Sequence, residues 1–169
     1  TVDVENVQGT IWAAPLVRLF APPVADSLEI YRFHTPPDLT GNGVVDVTKQ
    51  GRTSLDVSFR SAGMADYKFL GENVTLGQPS GKVEIRGERV VVDDLKLDAF
   101  SGPVSGRFDW QGKGRLSGEM SWSKLAIPAL CSTYDCNMKG GGETTGRIEF
   151  SLTDGKVETM NGEGLVGID

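Results

Sequence analysis

The chain has 169 residues, with 23 acidic and 17 basic side chains and a net charge of −6. That length suits a single domain with a sizeable core. The acidic balance and the scattered Lys and Arg residues argue against nucleic acid as a partner and against simple electrostatic docking on anionic lipid. The 22 glycines follow no fixed period, which excludes a collagen-like chain.

No signal peptide and no apolar run close to the ~20 residues of a membrane span are visible. The sequence starts at Thr1 and stops at Asp169 without a closing element. We therefore expect a piece excised from a longer protein. The absence of targeting signals then says little about where that parent protein is located.

The first two segments differ in pattern. Residues 1–10 predict an opening strand, with Val2 and Val4 on one face. Residues 11–33 instead place Trp12, Leu16 and Phe20 on a helical stripe, with prolines that interrupt it. We expect one or two short helices here, packed on the apolar face of a sheet as a core cover; a mobile lid over a lipid groove is the alternative.

Beyond Pro36-Pro37 the period becomes two, as in strands with one apolar and one wet face. Leu55, Val57 and Phe59 alternate with polar residues, and four later runs behave in the same way. Repetition of this pattern predicts a curved, mostly antiparallel sheet over residues 35–169, so the fold class is mainly β. The apolar members of these strands that carry large side chains are Phe59, Phe69, Phe108, Trp110, Met120, Trp122 and Phe150.

Turn residues divide the strands. Runs 78–81, 101–103 and 111–114 predict turns, Gly87-Glu88 predicts a tight hairpin, and residues 153–155 predict another hairpin. Between Val92 and Leu95 the apolar phase slips by one residue, which predicts a bulge at Asp93-Asp94. Residues 123–143 predict a loop with a helical turn, near 124–130.

No residue set indicates catalysis or a metal. His34 has no partner motif and reads as a loop residue, and Asp93-Asp94 lacks the spacing of a calcium loop. Cys131 and Cys136 are two thiols with one distant histidine, too few ligands for zinc. Their spacing leaves a local disulfide and two free thiols both open. We expect no enzyme and no cofactor.

The strand cadence and glycine placement carry a resemblance to a known family. The runs that carry it are 81–97, 99–109, 118–130 and 145–150, within residues 35–169. They resemble the C-terminal region of AsmA-like proteins, relatives of TamB-type envelope proteins. The resemblance implies a long curved sheet with an open apolar groove, in a periplasmic segment of a parent anchored in the inner membrane.

Two functions follow as hypotheses. The resemblance implies a non-enzymatic segment that takes part in phospholipid transport between membranes and in outer-membrane biogenesis, with acyl chains facing the seven large apolar residues named above. In the alternative, a closed-core structural or adhesion module, the same residues are an ordinary core. Open edge strands would also promote self-association of the isolated chain.

Overall fold

In a computed structural model of the chain, residues 1–12, 31–46, 52–69, 71–112, 114–136, 141–153 and 156–169 are described. Most of them belong to strands. The strands are β1 (Val2–Thr10), β2 (Tyr31–Phe33), β3 (Asp38–Val45), β4 (Ser54–Arg60), β5 (Ala65–Phe69), β6 (Glu72–Arg86), β7 (Arg89–Ala99), β8 (Gly102–Trp110), β9 (Leu116–Ala126), β10 (Glu143–Leu152) and β11 (Asn161–Ile168). One helix, α1 (Ile127–Tyr134), and a 3-10 turn, Val157–Thr159, complete the described elements.

The strands form one curved, unclosed antiparallel sheet in the order β1-β3-β4-β6-β7-β8-β9-β10-β11, and β5 joins β2 to β6 beside this path. The fold class predicted from the alternating runs is therefore confirmed. Neighbours in sequence are mostly neighbours in space, because short turns between antiparallel strands suffice to connect them.

Only the two ends of the predicted helical segment 11–33, residues 11–12 and 31–33, are among the described residues. Residues 13–30 lie outside the described residues. At its end the prediction is wrong: Tyr31–Phe33 is the strand β2, paired antiparallel with β5. Aromatic residues, which β2 contains, are common in strands, and the backbone of β5 offers β2 the hydrogen-bond partners of a paired strand.

The turn predicted at 78–81 is also wrong, because β6 runs through it from Glu72 to Arg86. Gln78 has φ 43° and the register shifts between Gly77 and Ser80. Pro79 and Gly81, which predicted a turn, therefore mark a bulge inside one strand. Pro79 is buried there, and its missing N–H falls where ladder bonding is interrupted anyway. The first half of β6 pairs with β5 and the second half with β4.

Residue 113 of the turn predicted at 111–114 and residues 154–155 of the hairpin predicted at 153–155 lie outside the described residues. The turns that are described in full lie close to their predicted places. Gly87-Glu88 joins β6 to β7, as expected. The turn between β7 and β8 uses Phe100 and Ser101, both at positive φ, one residue before the predicted segment. The predicted bulge at Asp93-Asp94 is confirmed, since the β7–β8 register shifts between Val92 and Leu95. The helical turn near 124–130 is α1, which starts later than expected because β9 continues to Ala126.

Hydrophobic burial is concentrated at one end of the sheet. Val74, Leu76 and Ala99 form the buried cluster, with Phe100 and Tyr134 packed against it. Tyr134 lies on α1, which packs on β6 and β9. Burial from water raises the pKa of the Tyr134 hydroxyl.

Candidate functional site

The apolar residues of successive strands lie in rows that run across the sheet. In one row the strand register aligns Val57, Val83, Val92, Phe108 and Phe150. Residues directly opposite each other in paired strands point to the same face. Six of the seven large residues predicted to contact lipid therefore share this face, namely Phe59, Phe108, Trp110, Met120, Trp122 and Phe150.

Phe69 is placed differently. It lies opposite Glu72 at the end of β5, in the part of the sheet formed by β5, β2 and the first half of β6. Its ring stacks with Tyr67 at a centroid distance of 6.2 Å, and its carbonyl accepts a hydrogen bond from the Tyr134 hydroxyl. Phe69 thus belongs to the end of the sheet that holds the buried cluster, at the edge of the apolar face.

Bulges keep the apolar face continuous. Each adds one residue to a strand, which reverses the inward and outward alternation beyond it. In β7 the bulge at Asp94 keeps Val92 and Leu95 on one face, and in β9 the bulge at Lys124 does the same for Trp122 and Leu125. Without these insertions, half of each long strand would turn its apolar side chains to the polar face.

Aromatic rings on this face lie over glycines of the neighbouring strands. Gly118 lies opposite both Phe108 and Phe150, whose ring centroids are 6.1 Å apart. A Cβ on Gly118 would lie 2.8 Å from Phe108 Cδ1 and 3.1 Å from Phe150 Cζ. The rings therefore occupy the space that a side chain at this position would need, and they spread sideways along the sheet.

The large side chains of the apolar face are not sealed in a core. None of the seven proposed lipid-facing residues belongs to the buried set, and Phe69 and Trp110 are each 41% exposed. Among the described elements, packing beyond strand pairing is mainly that of α1 on β6 and β9, at one end. The middle of the apolar face has no second layer built from the described elements.

The opposite face is polar and held by ion pairs between neighbouring strands. Arg89 donates two hydrogen bonds to Asp109, from Nε and Nη2, and this contact lowers the pKa of the Asp109 carboxyl. Lys82 lies 3.2 Å from Asp94 and likewise lowers the pKa of that carboxyl. Lys82 and Asp94 are both exposed, so their pair adds little stability, since solvent screens it.

Two shallow depressions, of about 530 and 400 Å³, both lie between strands of the polar face. The larger is lined by Glu119, Glu149 and Glu163, which the register sets directly opposite one another on β9, β10 and β11, with Arg107 beside them. Within the described part of the chain, no group of three or more His, Cys, Asp and Glu side chains has the geometry to hold a metal ion. Most of the side chains that line this depression are polar or charged, which does not suit an acyl chain.

The residues that the sequence analysis considered for catalysis or metal binding and did not assign to a site form structural contacts instead. His34 Nε2 lies 2.9 Å from Asp66 Oδ2, and this hydrogen bond lowers the pKa of the Asp66 carboxyl. Asp93 lies 3.6 Å from Arg107, so each of the paired carboxylates at 93 and 94 faces a cation. Cys131 and Cys136 form a disulfide, with Cα atoms 4.6 Å apart, which decides the question left open by their spacing.

The sequence reasoning missed two members of the apolar face. Val166 and Ile168 of β11 lie opposite Gly146 and Thr144, in line with the apolar rows, and are 63% and 66% exposed. The alternation was hidden because Gly162 and Gly164 occupy the preceding positions of that face and Leu165 interrupts the pattern. The spacing of two between Gly164, Val166 and Ile168 was the available signal.

No helix among the described residues is long and apolar enough to cross a membrane. No protein-family model, curated protein or solved structure matches the chain. The AsmA-like resemblance thus stays a prediction that rests on strand cadence and glycine placement.

Proposed function

We propose that this chain is a non-enzymatic lipid-binding module that holds phospholipid acyl chains along the apolar face of its sheet. The observation that carries the proposal is a continuous apolar face whose large side chains remain partly exposed. Phe108, Trp122 and Phe150 lie on that face at intermediate exposure, and Trp110 is 41% exposed. Contiguous exposed apolar surface of this kind marks an interaction site in a folded protein.

An acyl chain fits the chemistry of the face. Burial of each methylene group contributes about 0.8 kcal/mol, so a chain lying across several strands gains affinity without any polar contact. The apolar rows run across the sheet from β4 to β10, and the rings of Phe108 and Phe150 flatten the surface above Gly118. Headgroups would remain in water at the margin of the sheet.

The disulfide supports an oxidising location for the module. Disulfides persist in the periplasm and outside the cell, whereas reducing systems keep cytosolic thiols free. Cys131 and Cys136 are bonded at the end of α1. Together with the AsmA-like resemblance, this favours a periplasmic segment of an inner-membrane-anchored parent that acts in phospholipid transport and outer-membrane biogenesis.

A titration with a fluorescent fatty acid tests the proposal. We expect saturable binding by the 169-residue chain and at least about fivefold weaker binding by the Trp110→Glu variant, because the charge must be desolvated beneath the acyl chain. Trp110 is exposed enough for the variant to fold, which circular dichroism will verify.

The matched control is Ser58→Glu, which adds the same charge on the polar face of β4, opposite Lys82. This variant is expected to bind the probe like the parent chain. Absence of saturable binding, or equal losses in both variants, would contradict the lipid proposal and favour the closed-core structural or adhesion module.

A further inference from the structure

Among the described strands, β1 and β11 are the outermost in the sheet order, and they differ in how the edge that no described strand pairs with is protected. β1 carries a bulge at Asn6 and two acidic residues, Asp3 and Glu5. Bulges and charges are the devices that prevent one sheet edge from pairing with another. β11 is paired with β10 over eight residues without a register shift, and it contains no proline and a single charged residue, Glu163.

The register shows which backbone groups of β11 point outward. Glu143 and Asp169 exchange both backbone hydrogen bonds, and antiparallel pairs alternate between bonded and non-bonded. The next non-bonded positions on β11 are therefore Ile168, Val166, Gly164 and Gly162. Their N–H and C=O groups point away from β10, and no hydrogen bond joins them to the described residues.

We propose that, in the 169-residue chain, β11 pairs antiparallel with β11 of a second copy, about a two-fold axis at Leu165. In this register Val166 lies opposite Gly164 of the second copy, and Ile168 lies opposite Gly162 of the second copy. Large residues thus lie opposite glycines, as Phe108 does opposite Gly118 and Trp122 opposite Gly146 within the sheet. The outward backbone groups of all four positions find partners.

Charge repulsion and the extent of β11 favour this register over the two neighbouring registers, with the axis at Val166 or at Gly164. Glu163 lies opposite Gly167 of the second copy, so no like charges meet. With the axis at Val166, Glu163 would lie opposite Asp169 of the second copy, and like charges directly opposite are destabilising. With the axis at Gly164, Ile168 would lie opposite Met160, which precedes β11.

The pairing also accounts for Leu165. Leu165 is 68% exposed, the most exposed of the large hydrophobic residues described, and lies on the polar face with Arg147 and Glu163. At the axis it packs on Leu165 of the second copy in a non-bonded pair, where side chains approach most closely. The apolar faces of the two copies then form one continuous surface, whether or not that surface binds lipid.

Sedimentation equilibrium over a range of concentrations tests the pairing. We expect a reversible monomer–dimer equilibrium without larger species. Val166→Pro removes an outward N–H but no bond to β10, and it is expected to weaken the dimer at least about tenfold, since symmetry doubles the loss. Val166→Thr, which keeps the N–H, is expected to dimerise like the parent chain.

Oxidative cross-linking tests the register. Leu165→Cys is expected to form an intermolecular disulfide, because Cα atoms of a non-bonded pair lie about 4.5 Å apart. Glu163→Cys is the matched control on the same face; its copies would lie about 13 Å apart and stay unlinked. A monomer at all concentrations, open-ended oligomers, a dimer unaffected by Val166→Pro, or equal cross-linking at both positions would overturn the proposal.

Discussion

Four non-glycine residues at bulges adopt a positive φ: Asn6, Gln78, Asp94 and Lys124, at 46°, 43°, 54° and 55°. Side chains satisfy the backbone N–H groups at three of them. Asn42 Oδ1 accepts from Asn6, Asp93 Oδ1 accepts from Asp94, and Thr145 Oγ1 accepts from Lys124. The strain of a left-handed backbone is offset by the apolar face that each bulge keeps in phase.

Lys124 and Gln78 are less suited to this conformation than Asn6 and Asp94, because Asn and Asp tolerate it better than a long side chain does. We expect Lys124→Gly to raise the free energy of unfolding by about 0.5–1 kcal/mol, the relief of strain less the backbone entropy of glycine. Lys124→Val should lower it by about 1 kcal/mol or more, because a β-branched residue is excluded from positive φ.

Urea denaturation measures both changes, and Lys124→Gln is the control that removes the charge but keeps the conformational cost. The account of strain fails if the Gln and Gly variants are equally stabilised, since charge alone would then explain the effect.

Only one of these bulges was predicted. At Asp93-Asp94 the apolar phase changes between clear runs on both sides, so the slip is visible in the sequence. The same slip separates Trp122 from Leu125 and Val4 from Val7, but short flanking runs made it less evident. At Gln78 the Pro-Gly signal predicted a turn, and only the pairing of both halves of β6 with other strands shows that the strand continues.

At the scale of the element, the strands of the main path contribute to the apolar face either apolar side chains or the glycines that accommodate large ones. Gly146 shows this for Trp122: a Cβ there would lie 2.6 Å from Trp122 Cζ2. The alternating runs in the sequence predicted the strands and their apolar faces. They could not predict which glycine meets which ring, because that depends on register across strands far apart in the chain.

Gly118→Ala should therefore lower the free energy of unfolding by about 1–3 kcal/mol, the usual cost of overpacking. The added Cβ meets Phe108 and Phe150 at 2.8 and 3.1 Å. The control is Gly41→Ala on β3, in the same row, where the nearest atoms lie at 3.6 and 3.7 Å and change should be small. Equal effects in thermal unfolding would show that backbone entropy, not the rings, decides the stability of these strands.

At the scale of the whole molecule, the sheet is a surface with two unlike faces and two unlike edges. The mainly β class followed from the period of two, which depends only on local alternation. Whether the apolar face is open could not follow from the sequence, because the same alternation serves a sealed core and a binding face. The structure shows intermediate exposure of that face among the described residues. Binding of a fatty acid in solution distinguishes a binding face from a core.

Tryptophan quenching by a dibrominated fatty acid tests the central claim most directly. In a chain with Trp12→Phe and Trp110→Phe, the remaining Trp122 lies on the apolar face, and we predict strong, saturable quenching. The matched variant adds Ser121→Trp and Trp122→Phe, which moves the indole to the polar face one residue away; we predict little quenching. Equal quenching of both, or none at Trp122 while the fatty acid binds, would contradict acyl-chain binding on the apolar face.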